Sequence, residues 1–217
     1  MKSVELFKLY ENQVTPSLFH DSGMENIYNR LDFGFFPLGS GIFTKSSKVS
    51  DAEIKRCRIL VLGNDFGTVK YLNEKCNDNR EKESNPTIRN LIGEQGLNLN
   101  PEECFFTNFH LGLRKEGTNI NRADKLTTAY RTMCFNFFQT QLQFCNPEII
   151  LCLGNEVVDS LSKEDSLFKS LTKRDNILKT ASGSMYGERQ FILIPHPSMA
   201  HFNWKGEFKK NMREVLS

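Results

Sequence analysis

Four short apolar runs limit most strongly what this chain can fold into: RILVLG at 58–63, CFFTNF at 104–109, EIILCLG at 148–154 and FILIP at 191–195. Each is bounded by Gly, Pro or Asn, as a strand covered on both faces is. Between them lie segments of helical period. NPTIRNLIGEQGL sets Ile88, Leu91 and Ile92 on one stripe before Gly96, and ADKLTTAYRTMCFNFFQTQLQFC does the same with Leu126, Tyr130, Met133, Phe137 and Leu142. NEVVDSLSK follows the third run and WKGEFKKNMREVL closes the chain. Strands separated by helices predict an α/β fold, a three-layer αβα sandwich around a central, mainly parallel four-stranded sheet. In such sheets ligands gather at the carboxyl ends of the strands, which is where the polar residues need attention.

At 217 residues one domain spanning 1–217 is expected, with residues 1–50 a loop-rich lead-in. That lead-in holds one short helix, Val4 to Asn12, and the aperiodic stretch DFGFFPLGSGIF; KEDSLFKSLTKRDNILKT at 163–180 reads as a solvated surface segment. No apolar stretch approaches the roughly 18 residues that span a bilayer, and MKSVELFKLYENQ lacks the order of a signal peptide, so a cytoplasmic monomer off the membrane is expected. The six cysteines, Cys57, Cys76, Cys104, Cys134, Cys145 and Cys152, contain no close pair. They read as reduced thiols rather than zinc or iron–sulfur ligands, and neither metal nor cofactor is expected. With 28 basic residues against 26 acidic ones, any nucleic-acid surface must be local.

The first run ends in Gly63-Asn64-Asp65-Phe66-Gly67, which matches neither the P-loop nor the dinucleotide fingerprint. What it offers is Asp65 where a ligand would sit; the plainer reading is an Asx turn in which the carboxylate bonds its own backbone. The second run brings Asn108, whose amide has the donors and acceptor to read a pyrimidine-like edge, although Asn at a strand end is also ordinary turn chemistry. His110 lies in the same region or on the surface. The last run ends PHPSM, where prolines on both sides of His196 stiffen its backbone. Ser198 there could hold a phosphate oxygen, and Met199 is an apolar tip suited to wedging a base stack. His20 and His201 carry no pattern, and GNEVVDSL reads as structural, with Gly154 letting a helix start close to the sheet.

Gly63 to Gly67 and His196-Pro197-Ser198 together resemble the uracil-DNA glycosylase superfamily, whose first motif, G-Q-D-P-Y or variants such as G-x-N-P-G, follows the first core strand and whose H-P-S follows the last. NPTIRNLIGEQ is similar to that family's proline-containing helix start, and NPEIILCLGNEVVDSL to its P-x-x-I-x-x-L-G-x-x-A segment, so the resemblance covers roughly residues 55–216. It implies a DNA glycosylase that flips uracil or a related damaged pyrimidine out of DNA. Asp65 and His196 would be catalytic: Asp65 would stabilise the cationic sugar and activate water, and His196 would donate to the departing base. Asn108, with Asn64, Phe66 and Gly67, would recognise the base, while Ser198 and Met199 would hold DNA. Phe66 stands where the family usually has Pro. Gly67 stands where the uracil-specific branch places a Tyr that blocks the thymine methyl, and no Phe lies between Phe66 and Cys104 to stack on the base, which leaves Phe66 or Tyr71 for that part. A catalytically inactive nucleobase-binding member of the same fold is the alternative.

Overall fold

The computed structural model describes residues 3–26, 57–70, 86–100, 103–115, 126–172, 179–181, 189–199 and 207–216. In chain order the elements are α1 (Ser3–Gln13), α2 (Ser17–Asp21), β1 (Met24–Asn26), β2 (Ile59–Gly63), α3 (Pro86–Ile92), β3 (Cys104–Asn108) and β4 (Gly112–Arg114). They continue with α4 (Thr128–Cys145), β5 (Ile149–Leu153), α5 (Asn155–Glu164), a 3-10 turn (Ser166–Thr172), β6 (Lys179–Ala181), β7 (Gln190–Ile194), a second 3-10 turn (Pro197–Met199) and α6 (Glu207–Leu216).

The four apolar runs are β2, β3, β5 and β7, and they pair in parallel in the order β3-β2-β5-β7. Because side chains alternate along a strand, each run supplies both faces of the sheet. Leu60, Leu62, Phe105, Ile150, Cys152 and Phe191 meet Leu6 and Tyr10 of α1, Phe137 of α4 and Leu161 of α5. Ile59, Val61, Phe106, Leu151 and Ile192 meet Leu91 of α3 and Met212 and Leu216 of α6. Helices therefore cover both faces, which is the three-layer sandwich that the run spacing predicts. The longest helix, α4, starts where the Thr127 hydroxyl accepts from Tyr130 N at 3.3 Å and ends where Asn146 turns left-handed at φ 44°.

Three regions carry more structure than their composition suggests. The sheet has a fifth strand, β6, antiparallel at the β7 edge. The segment read as solvated is partly packed: Phe168 and Leu171 are buried, and the Phe168 ring meets Phe191 edge-on at 4.9 Å. Its charge count hid two apolar residues three apart, which share one side of a 3-10 turn. In the lead-in, residues 3–26 form two helices and a strand rather than loop, and β1 pairs antiparallel with β4, Met24 opposite Arg114. The stretch DFGFFPLGSGIF lies outside the described residues.

The strand order places the site. From β2 the chain moves to one side for β3 and then to the other for β5, so the order reverses between the carboxyl ends of β2 and β5. A crevice opens where neighbouring connections diverge in this way.

Candidate active site

The turn after β2 is bound to the continuation of β3. Phe109 N donates to Gly63 O, His110 N to Asn64 O and Arg114 N to Gly67 O, each at 2.9 Å. These bonds carry the turn forward from the sheet and hold Asp65 at the reversal point. Its carboxylate is engaged on both oxygens: Oδ1 accepts from Gly67 N at 2.7 Å and has Arg114 Nε at 3.3 Å, while Oδ2 accepts from Asn64 Nδ2 at 3.2 Å. The bond to Gly67 N is the Asx turn, so the plain reading of Asp65 and the site reading hold at once. The side chain is 12% exposed, enough to meet a ligand and too little to move freely.

Gly67 has φ +84°, a conformation that residues with a Cβ adopt only under strain, so the turn departs in backbone as well as in side chain from one carrying Tyr there. Phe66 is half-buried and packs against the core on the α4 face of the sheet. Tyr71, the other candidate for ring stacking, lies outside the described residues.

Asn108 ends β3 opposite Gly63, buried at 3% exposure, and its Nδ2 has no hydrogen-bond partner among the described residues. A Cβ on Gly63 would lie 2.2 Å from Asn108 Oδ1, so only glycine leaves the amide its place. A buried, unpartnered amide donor is costly unless a ligand completes it.

His196 follows β7. Its Nδ1 accepts from Ser198 N at 3.2 Å and lies 2.7 Å from Ser198 Oγ. With Nδ1 accepting from a backbone N–H, the neutral ring carries its proton on Nε2 and is a donor there. His196 is exposed at the surface, but neighbouring protein screens part of its ring from water; this partial desolvation lowers its pKa from the ordinary value, and the Asp65 carboxylate opposes the shift. Two further contacts set the loop: Asn90 Nδ2 donates to Pro197 O at 2.7 Å, and a Cβ on Gly154, itself at φ +83°, would come within 3.2 Å of His196 Cβ. Gly154 thus clears space for the histidine as well as for the start of α5. Ser198 is exposed and turned toward His196; Met199 ends the same 3-10 turn, and its side chain is outside the described residues.

His110 is not a surface residue. It is 3% exposed, its ring stacked on Tyr130 at 5.9 Å, and burial, with Arg131 and Lys163 as lesser causes, pushes its pKa down to about 3. Its Nε2 meets Ser160 Oγ at 3.1 Å, and Ser160 Oγ donates to Asn64 Oδ1 at 3.3 Å. Arg114, Ser160, Asn90 and Glu156 are the site neighbours that sequence reasoning missed. Partial burial raises the Glu156 pKa, nearby Asp65 adds to that, and Arg114 opposes it. His20 is exposed beside Asp21, and His201 lies outside the described residues. Among the described residues no group of three or more His, Cys, Asp and Glu could hold a metal ion, and no helix is long and apolar enough to cross a membrane.

A mainly parallel α/β sheet with a carboxylate, an amide and an imidazole following β2, β3 and β7 belongs to the class of folds that gather ligands at the carboxyl ends of their strands. The family model of the uracil DNA glycosylase superfamily matches residues 51–217, and the chain belongs to that superfamily. Membership makes DNA the class of substrate. No curated protein matches the chain.

Proposed function

We propose that this protein is a monofunctional DNA glycosylase that hydrolyses the N-glycosidic bond of uracil or a related damaged pyrimidine, acting on a flipped nucleotide as a cytoplasmic monomer without metal or cofactor. The supporting observation is Asp65, held on both carboxylate oxygens at the switch point of the sheet whose last parallel strand leads into His196. As the bond from C1′ to the base breaks, its electron pair leaves with the base and positive charge builds on the sugar. Asp65 faces that charge and takes a proton from the water that adds to C1′. His196, neutral and donating through Nε2, stabilises the negative charge on the departing base, which needs no free imidazolium. The unpartnered Asn108 Nδ2 reads the pyrimidine edge, with Asn64, Phe66 and Gly67 forming the wall beside it. Ser198 and Met199 contact DNA beyond the pocket. With glycine at 67 the wall has no side chain against the pyrimidine 5-position, so 5-substituted pyrimidines are accepted more readily than by an enzyme with Tyr there.

The test is incubation with single-stranded and mismatched oligonucleotides carrying uracil or 5-substituted uracils, followed by alkaline cleavage of abasic sites. Asp65→Asn is expected to lower the rate by about a hundredfold or more. Folded protein that releases no base from any of these substrates, yet binds damaged and undamaged DNA equally, would establish the inactive binding reading instead. The packing of the half-buried Phe66 ring against the core, where part of it is already engaged, favours that second reading.

A further inference from the structure

We propose that His110 and Ser160 are positioning residues of this site, acting on Asp65 through Asn64 along a hydrogen-bond chain of one fixed direction. The proposal rests on the glycosylase reading above. Its direction follows from counting protons. The hydroxyl of Ser160 has one, and it goes to Asn64 Oδ1 at 3.3 Å, because a carbonyl oxygen can only accept. Ser160 Oγ must then accept from the His110 ring 3.1 Å away, which requires the tautomer with its proton on Nε2. The same bond orients the Asn64 amide, turning its Nδ2 toward Asp65 Oδ2 at 3.2 Å. With the amide reversed, a carbonyl oxygen would face a carboxylate oxygen and the bond to Asp65 would be lost, so this contact fixes which way the amide points. The chain therefore runs from His110 through Ser160 and Asn64 and delivers a donor to the catalytic carboxylate.

A simple packing role fits the residues less well. Ser160 and His110 are buried at 1% and 3% exposure, and His110 Nδ1 has no partner among the described residues. An apolar residue would fill the same space without leaving a buried acceptor unsatisfied. Burial keeps the ring neutral, so it carries a single proton, and the contact with Ser160 Oγ, whose own proton goes to Asn64, puts that proton on Nε2. On the other side of the carboxylate, Gly67 N and Arg114 hold Oδ1, so the chain supplies the restraint on Oδ2.

The experiment is a double-mutant cycle on the full chain with a uracil-containing single-stranded oligonucleotide under single-turnover conditions. Ser160→Ala is expected to slow base release about tenfold or more with oligonucleotide affinity unchanged. In an Asn64→Ala background it is expected to have no further effect, since the last link is already gone. Ser160→Cys, a weaker donor of similar size, is expected to fall between wild type and Ser160→Ala. Effects that multiply across the cycle, or a wild-type rate in Ser160→Ala, overturn the proposal while leaving the glycosylase reading standing. Nitrogen NMR of the His110 ring in wild-type protein tests the chain without turnover: a proton on Nε2 is expected, and one on Nδ1 overturns the chain even in a protein that releases uracil. A wild-type protein that releases no base overturns the glycosylase reading and the positioning role with it.

Discussion

His110 makes the fold sensitive to acid in a way that can be worked out in advance. Its folded pKa is about 3 against an ordinary 6.5, because burial penalises the charged ring. Between those values the unfolded chain binds a proton that the folded chain refuses, so unfolding takes up a proton and stability rises with pH. The contribution is present in full above about pH 6.5 and drains away as pH falls toward 3. At about 1.4 kcal/mol per pH unit, moving from pH 7 to pH 4.5 removes roughly 2–3 kcal/mol, a large share of the about 5–15 kcal/mol that holds a typical domain together. Carboxylates titrate over the same range, so the histidine has to be isolated by difference. His110→Gln cannot titrate, and it should be the less stable protein at pH 7, having lost the stacking on Tyr130 and the bond to Ser160. Urea unfolding of both proteins at pH 7, 5.5 and 4.5, with m unchanged, should show the gap between them closing by about 2–3 kcal/mol at the lowest pH. A gap that stays constant with pH would mean that His110 titrates as freely as a surface histidine, and the buried neutral ring would have to be abandoned.

Two other perturbations address the site directly. Gly63→Ala puts a Cβ 2.2 Å from Asn108 Oδ1 in a buried strand, so the amide must leave its position; the expected result is weaker discrimination between uracil and cytosine in the oligonucleotide assay. Unchanged discrimination would show that Asn108 does not read the base. For His196, the depressed pKa places the loss of kcat/KM below the usual histidine range, and the rate should fall as pH drops and the ring gains the proton that displaces the Ser198 N–H bond. A pH–rate profile should show this acid limb in wild type; the same limb surviving in the residual activity of His196→Gln would assign it to another group.

The four core strands were legible because a parallel sheet covered on both faces demands unbroken apolar runs, and nothing else in the chain resembles them. The places of Asp65, Asn108 and His196 just at or beyond strand ends were legible for a related reason: once the runs are strands, the rule that ligands gather at carboxyl ends makes these three the candidates among more than two hundred residues. The burial of His110 had a signal too, since Phe109 and Leu111 on either side are apolar and fully packed. Arg114, Ser160 and Asn90 had none. Arg114 reaches Asp65 because β4 folds back beside the turn, Ser160 reaches Asn64 across 96 positions of chain, and Asn90 reaches Pro197 across 107. Such pairings depend on how helices settle against the sheet, and a polar residue in a helix looks the same in sequence whether it faces water or a catalytic loop. The conformation of Gly67 was hidden for a different reason, because glycine permits a left-handed turn without requiring it.

The segment before residue 51 lies outside the family match, yet it bears on the Asp65 carboxylate. Leu6, Tyr10, Val14, Phe19 and Met24 join the same core cluster as β2 and α4, so residues 3–26 are anchored by burial. The Ser22 and Thr127 hydroxyls add a bond at 2.9 Å. From that anchored position β1 pairs with β4 on one side, while Gly67 O and the Thr68 bridge hold Arg114 on the other. The cation beside Asp65 is thus fixed from two directions, one of them supplied by a segment that the family pattern does not include. On the glycosylase reading this sets the character of the acid. A carboxylate with a guanidinium at 3.3 Å offers a developing sugar cation less net negative charge than a lone carboxylate would. What it gains is orientation, since neither oxygen can rotate without breaking a bond to Gly67 or Asn64. Aligning the attacking water depends on where the lone pairs point, whereas stabilising a cation depends on charge nearby. The geometry around Asp65 favours the first of these, which makes activation of water the larger part of its role.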